Sequence, residues 1–161
     1  MTKICVFSDS HGHAGNMIAA TGLEQPDAVF FLGDGERDVE ELAESYPDLP
    51  IYAVRGNCDL FSDARSTLCC RIEDVTIYAT HGQLSRVKYE RDLETLTAQA
   101  VEAGADIALF GHTHSQQIAH NRGVTLVNPG QAGRGYYPCY AVLTIDGRSF
   151  DADLRTMDVE P

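Results

Sequence analysis

Three short segments concentrate imidazoles around a carboxylate: Asp9-Ser10-His11-Gly12-His13, His81-Gly82 and Gly111-His112-Thr113-His114. They hold five of the chain's six histidines. Gly33-Asp34 and Gly56-Asn57-Cys58-Asp59 add further acids and a carboxamide. Alternate residues of an extended segment point the same way, so Asp9 and His11 can share one ion, and His112 and His114 have the same spacing. Carboxylate oxygen and imidazole nitrogen suit Mn²⁺, Fe, Zn²⁺ or Ni²⁺ better than Ca²⁺. Such a donor mixture suits two divalent cations and the hydrolysis of phosphate esters. Taken singly, each segment has an ordinary alternative, since Gly-Asp is a common turn and a histidine can simply end a strand.

What joins the segments is placement, because each follows an apolar run. Lys3–Ser8, Asp27–Leu32 and Ile51–Val54 read as strands that end in the first three acid or amide motifs. His13–Leu23 and Glu36–Ser45 read as the helices between them. This β-α-β-α-β order predicts a largely parallel sheet covered by helices. Leu68–Ile72 and Thr76–Ala79 read as a hairpin, and Arg86–Ala103 as the longest helix, stopped by Gly104. Asp106–Phe110 leads into the Gly-His-Thr-His motif. Gln117–His120, Thr125–Asn128, Cys139–Ile145 and Phe150–Leu154 complete the strands, with turns at Asn121-Arg122-Gly123 and Asp146-Gly147-Arg148. Ligands gather at the carboxyl ends of strands in α/β sheets. Asp9, Asp34, Asn57, His81 and His112 all hold such positions.

The chain's 161 residues, 43% of them hydrophobic, suit one domain over residues 1–161 with two packed sheets. No apolar run approaches membrane-span length. The N-terminus has no signal-peptide shape, so a cytoplasmic protein is expected. Five cysteines without CxxC spacing suit reduced thiols and not a structural zinc cluster. A net charge of −12, from 24 acids against 12 bases, argues against bulk binding to nucleic acid or an anionic membrane. Bound cations can still reverse the field locally for a small phosphate ester.

The ordered set Asp9-x-His11, Gly33-Asp34, Gly56-Asn57-x-Asp59, His81-Gly82 and Gly111-His112-Thr113-His114 resembles the signature blocks of the calcineurin-like metallophosphoesterases. Short length and Asn128-Pro129-Gly130 resemble their small prokaryotic branch, the YfcE-like phosphodiesterases. The resemblance implies an α/β fold, a four-layer α-β-β-α sandwich of two mixed sheets. It places Asp9, His11 and His114 on one metal, Asn57, His81 and His112 on the second, and Asp34 between them. It implies two divalent ions, Mn²⁺ first with Ni²⁺, Fe or Zn²⁺ as alternatives. Two cations about 4 Å apart can clamp a phosphoryl group and generate a bridging hydroxide. Asp34 and Asn57 are thereby expected to take part in catalysis, with Asp59 orienting an imidazole or holding its own loop. The activity implied is hydrolysis of a small phosphodiester, a cyclic nucleotide among the candidates. The alternatives are a phosphomonoesterase, a nucleotide pyrophosphatase, or a non-catalytic protein-binding scaffold like the eukaryotic retromer subunit of this fold. Relatives often form homo-oligomers.

Cys58 departs from the histidine that many relatives carry at that position to protonate the leaving group. A thiol is a poor substitute at neutral pH, so diesters with good leaving groups are favoured over monoesters. Cys58, His13 and Arg134 are candidates for substrate contact. A surface histidine at a helix start and a solvated arginine in a loop are their ordinary alternatives.

Overall fold

The computed structural model describes residues 1–133 and 137–157. Five elements build the first half: β1 (Thr2–Phe7), α1 (Ala14–Glu24), β2 (Ala28–Phe31), α2 (Glu36–Ser45) and β3 (Ile51–Ala53). The three strands pair in parallel, Cys5 opposite Val29 and Phe30 opposite Tyr52. Two strands from the far end of the chain, β9 (Cys139–Asp146) and β10 (Ser149–Thr156), extend this sheet antiparallel on the other flank of β1. The order is β10-β9-β1-β2-β3.

The second sheet has the order β4-β5-β6-β8-β7. It comprises β4 (Thr67–Ile72), β5 (Val75–Thr80), β6 (Ile107–Leu109), β7 (Gln117–Asn121) and β8 (Val124–Asn128), with α3 (Glu94–Glu102) before β6. β5, β6 and β8 run parallel, and β4 and β7 close the edges antiparallel. β4 and β5 form the expected hairpin, Ile72 opposite Val75. Between β7 and β8, Arg122 and Gly123 take φ of 49° and 78°, the two left-handed positions of a type I′ turn.

Strand alternation sorts the core into layers. Ile4 and Val6 of β1 face the second sheet and share a cluster with Ile77 and Leu109. Cys5 and Phe7 face the other way, onto Met17 and Ala20 of α1 and Leu42 of α2. On the far sheet Ala108, with Phe110 just beyond β6, packs against Leu96 and Ala100 of α3. The result is the four-layer α-β-β-α sandwich of two mixed sheets. Strands covered on both faces read as continuous apolar runs, such as Ala28–Phe31. Among the described residues no helix is long and apolar enough to cross a membrane.

One expected element is corrected. The helix read over Arg86–Ala103 covers only Glu94–Glu102, and α1, with 11 residues, is the longest among the described residues. A 3-10 turn at Gln83–Ser85 precedes it, and Arg86 and Leu93 adopt left-handed φ of 56° and 53°. The Glu90 carboxylate accepts from the Thr95 N–H and hydroxyl, each at 2.7 Å, and Asp92 accepts from the Glu94 N–H at 3.2 Å. These acceptors satisfy first-turn donors that a longer helix would have bonded internally. Gly104, with φ 71°, does end the helix, and the Ala105 N–H closes on the Ala100 carbonyl at 2.9 Å.

Candidate metal centre

The loops that leave β1, β2, β3, β5 and β6 meet where the two sheets face each other. Backbone bonds stitch them together: Asp9 N–H to the Gly33 carbonyl and His11 N–H to the Asp34 carbonyl, both 3.0 Å, and Gly111 N–H to the His81 carbonyl, 2.8 Å. Glycine permits this approach. A Cβ on Gly33, whose φ is 106°, would lie 2.6 Å from Gly56 N and 2.9 Å from His81 Nδ1.

Five of the seven candidate ligands sit in left-handed backbone conformations: Asp9 (φ 56°), His11 (43°), Asp34 (64°), His112 (71°) and His114 (64°). Only a few per cent of non-glycine residues do so, and such strain gathers at functional sites. Here Asp9 and Asp34 are buried just after their strands, while His11 and His114 lie further along their loops and stay exposed.

Asp9 is buried, and its two oxygens differ. Oδ2 accepts from the Ser8 hydroxyl at 2.6 Å and the His112 N–H at 3.1 Å. Among the described residues Oδ1 has no hydrogen-bond partner, yet it lies 3.3 Å from His114 Nε2, 3.6 Å from His11 Nε2 and 3.8 Å from His81 Nε2. A buried, unpartnered carboxylate oxygen costs free energy unless something fills its place. Three imidazole nitrogens beside it make a cation the fitting occupant.

Asp34 occupies the middle. Its Oδ1 accepts from the Cys58 N–H at 2.8 Å, and its Oδ2 lies 3.1 Å from His81 Nε2 and 3.9 Å from His11 Nε2. Burial alone would raise its pKa. Hydrogen bonds from His81 and the Cys58 amide, with the charges of His81 and His11, outweigh that and hold it at about 2.

His81 is fully buried, and its Nδ1 donates to the Leu32 carbonyl at 2.7 Å. A carbonyl only accepts, so Nδ1 carries the hydrogen and Nε2 is turned toward the two aspartates. Desolvation lowers its pKa, but the Asp34 bond and the charges of Asp9 and Asp34 raise it further, for a net upward shift. His112 Nδ1 stands 3.2 Å from His81 Nε2. Desolvation and the neighbouring His81 charge push His112 down.

Donor atoms group within 4.8 Å of one another in three overlapping sets: Asp9, His11 and His114; His11, Asp34 and Cys58; and Asp9, Asp34 and His81. The aspartates and His11 are shared between sets. Asn57 is exposed, and its amide donates to Cys58 Sγ at 3.6 Å. Asp59 lies beneath the loops. Its Oδ2 accepts from the N–H groups of Asp34 and Gly56 at 2.8 and 2.9 Å, and its Oδ1 from Gly35 and Glu36 at 3.0 and 3.2 Å. It therefore holds backbone, including the start of α2, and no contact joins it to an imidazole among the described residues. His13 stands at the N-cap of α1 without a side-chain cap bond and outside the three sets. Arg134 lies outside the described residues.

Two further residues support the site, Asp38 from outside every motif and Asn128 from the Asn128-Pro129-Gly130 segment. Asp38 on α2 is buried, and its Oδ2 accepts from the Ser10 hydroxyl at 2.5 Å and the Gly12 N–H at 2.8 Å. Asn128, also buried, donates to the Gly111 carbonyl at 3.3 Å and Thr113 Oγ1 at 2.9 Å. Between them they fix the backbone on either side of the imidazoles.

Residues 2–148 match the calcineurin-like phosphoesterase superfamily domain. The chain belongs to that family. It is 32% identical over 150 residues to the probable metallophosphoesterase YsnB of Bacillus subtilis, covering 89% of this chain and 85% of the relative. Among solved structures, a conserved uncharacterized protein of Streptococcus pneumoniae TIGR4, a predicted phosphoesterase, superposes with TM-score 0.80 at 30% identity, over 96% of this chain and 89% of that one. Two more distant structures share the fold alone. A novel archaeal phosphodiesterase has TM-score 0.71 at 21% identity, over 95% of this chain and 99% of that one. Zinc-complexed Vps29 of Entamoeba histolytica has 0.73 at 19%, over 96% and 98%. In this calcineurin-like phosphoesterase the left-handed aspartates and histidines are thus the natural candidates for the metal ligands.

Proposed function

We propose that this phosphoesterase is a dinuclear, metal-dependent phosphodiesterase acting on a small diester, a cyclic nucleotide among the candidates. The observation that carries the reading is the buried Asp9 Oδ1, without a hydrogen bond among the described residues and faced by three imidazole nitrogens. Asp9, His11 and His114 are assigned to one divalent cation and His81, His112 and Asn57 to a second, with Asp34 serving both and Mn²⁺ the first choice. Bound there, the cations supply Lewis-acid charge to a phosphoryl group and acidify water.

The chain's own residues do the rest. Asp34 stays ionised because its neighbours hold its pKa at about 2. His81 keeps Nε2 aimed inward through its bond to the Leu32 carbonyl. Asp59, Asp38 and Asn128 fix the loops that carry the donors. Diesters are favoured over monoesters because Cys58 replaces the histidine acid of many relatives. Burial, then the negative charges of Asp34, Asp59 and Asp9, push its thiol up, away from both proton donation and thiolate attack at neutral pH. The archaeal phosphodiesterase of the same fold supports this class. The alternative of a protein-binding scaffold has no use for the orphaned carboxylate oxygen.

Hydrolysis of bis-p-nitrophenyl phosphate with and without Mn²⁺ tests the reading. The expected result is a metal-dependent rate, abolished by chelation, that exceeds the rate on p-nitrophenyl phosphate. Asp34→Asn is expected to lower it by roughly two orders of magnitude or more with an unchanged circular dichroism spectrum. A folded, metal-loaded protein without diesterase activity would put the scaffold reading first.

A further inference from the structure

The cleft beside the candidate ligands has a volume of about 480 Å³, lined by His11, Asp34 and Cys58 together with Arg37, Leu60 and Phe61. That size falls in the range of small-ligand pockets, about 300–1,000 Å³. Phe61 is 96% exposed and Leu60 73%. Single exposed apolar residues are ordinary. Leu60 and Phe61 differ, being the one adjacent pair of large exposed hydrophobics among the described residues, and both line the cleft that His11 and Asp34 border.

The segment is anchored at both ends. Asp59 grips four backbone N–H groups before it. Ser62 after it is buried, donates its N–H to the Asp59 carbonyl at 3.2 Å and accepts from the Ala64 N–H at 3.0 Å. The two apolar side chains are thus held out at the tip of a fixed turn.

Charge narrows the ligand further. Glu36 and Glu40 also line the cleft, against Arg37 on the same helix. Asp38 Oδ2 already accepts from Ser10 and Gly12, and both Asp59 oxygens accept from loop amides. A second phosphate would meet the two free carboxylates, whereas an uncharged planar ring meets none of that repulsion.

We propose that this cleft is a subsite for an uncharged aromatic group of the substrate, of the nucleobase type, which stacks on Phe61 beside Leu60. The proposal rests on the reading that the phosphoryl group sits at the Asp9 and Asp34 cluster. It narrows the substrate class to esters of nucleoside monophosphates and argues against polyphosphate chains.

Calorimetric titration of the Mn²⁺-loaded protein tests it with three probes: AMP, ribose 5-phosphate and inorganic phosphate. AMP is expected to bind roughly tenfold more tightly than ribose 5-phosphate, the size of one base-on-aromatic stack. Phe61→Ala is expected to erase that difference and leave the other two probes unchanged, while Phe61→Tyr retains it. If AMP and ribose 5-phosphate bind the unaltered protein equally, there is no aromatic subsite, although phosphate binding would keep the phosphoesterase reading intact. If Phe61→Ala weakens all three probes alike, the residue acts only through its loop and the proposal fails. If none of the probes binds, the phosphoester reading fails and the subsite with it. Sedimentation of both proteins covers the remaining occupant. A dimer that Phe61→Ala dissolves, with the AMP preference unchanged, would make the patch a contact between copies and overturn the subsite.

Discussion

Asp38 shows how a residue without a motif comes to govern the site. Its carboxylate takes the Ser10 hydroxyl and the Gly12 N–H, the residues on either side of His11. Removing it frees the segment whose left-handed turns aim Asp9 and His11. Groups that orient metal ligands typically contribute 10–100-fold in affinity. Asp38→Ala is accordingly expected to weaken Mn²⁺ binding by about 10–100-fold, read by titration calorimetry on a protein that still folds. Equal affinity would show that the loop needs no such support. Cys58 makes the opposite case, prominent in sequence yet chemically quiet. With its thiol pushed up by burial and acidic neighbours, Cys58→Ala is expected to keep the bis-p-nitrophenyl phosphate rate within about threefold. A loss of two orders would put the sulfur in the reaction. The motifs made Asp9, Asp34 and the histidines legible, because chemistry selects residue type and spacing. Asp38 was hidden among the acids of α2. The available signal was that it lies one turn before Leu42, and so on the buried face of that helix.

At the scale of elements, the strands were legible to within a residue or two, since each buried strand is a short apolar run that ends in a turn motif. α2 was legible over its whole span, Glu36–Ser45. Its cap was not. Gly35 at the N-cap offers no side chain, and the first-turn donors Gly35 and Glu36 are satisfied by Asp59, more than 20 residues further on. No local pattern reports such a partner. The same carboxylate holds Asp34 N–H and Gly56 N–H, so one side chain joins the ends of β2 and β3 to the start of α2. Asp59→Ala is expected to cost on the order of 1–2 kcal/mol, the value of a helix cap plus an abandoned polar group. Urea unfolding of the metal-free protein measures it, and an unchanged midpoint would mean that water replaces the carboxylate without loss. The helix expected over Arg86–Ala103 is shorter for a related reason. Glu90 and Asp92 look like exposed helix residues, but they reach forward to accept from Thr95 and Glu94, so the helix starts late.

For the whole molecule, the two sheets bring carboxylates and imidazoles from both halves of the chain to one seam, and this couples stability to pH and metal together. His81 titrates above its ordinary value of 6.5 in the folded protein. Its contribution is therefore fully present below 6.5 and lost as pH rises through the higher folded value. Asp34 works in the other direction. Folded at about 2 against an ordinary 3.8, it stabilises above 3.8, and that contribution disappears as pH falls toward 2. Above pH 6.5, where the downward-shifted His112 has already lost its proton in both states, the His81 effect is the one in play, so the melting temperature of the metal-free protein is expected to fall as pH rises from 6.5 toward 8.5. A cation needs His81 Nε2 without its proton, so metal affinity changes with the opposite sign and strengthens over the same window. Stabilisation by a ligand grows with its concentration relative to the dissociation constant. At fixed Mn²⁺, the gap between loaded and metal-free melting temperatures is thus expected to widen between pH 6.5 and pH 8.5, as scanning calorimetry in Mn²⁺ and in EDTA would record. A gap of constant width would mean that no proton leaves the cluster when metal enters, and His81 would then have to be removed from the ligand set.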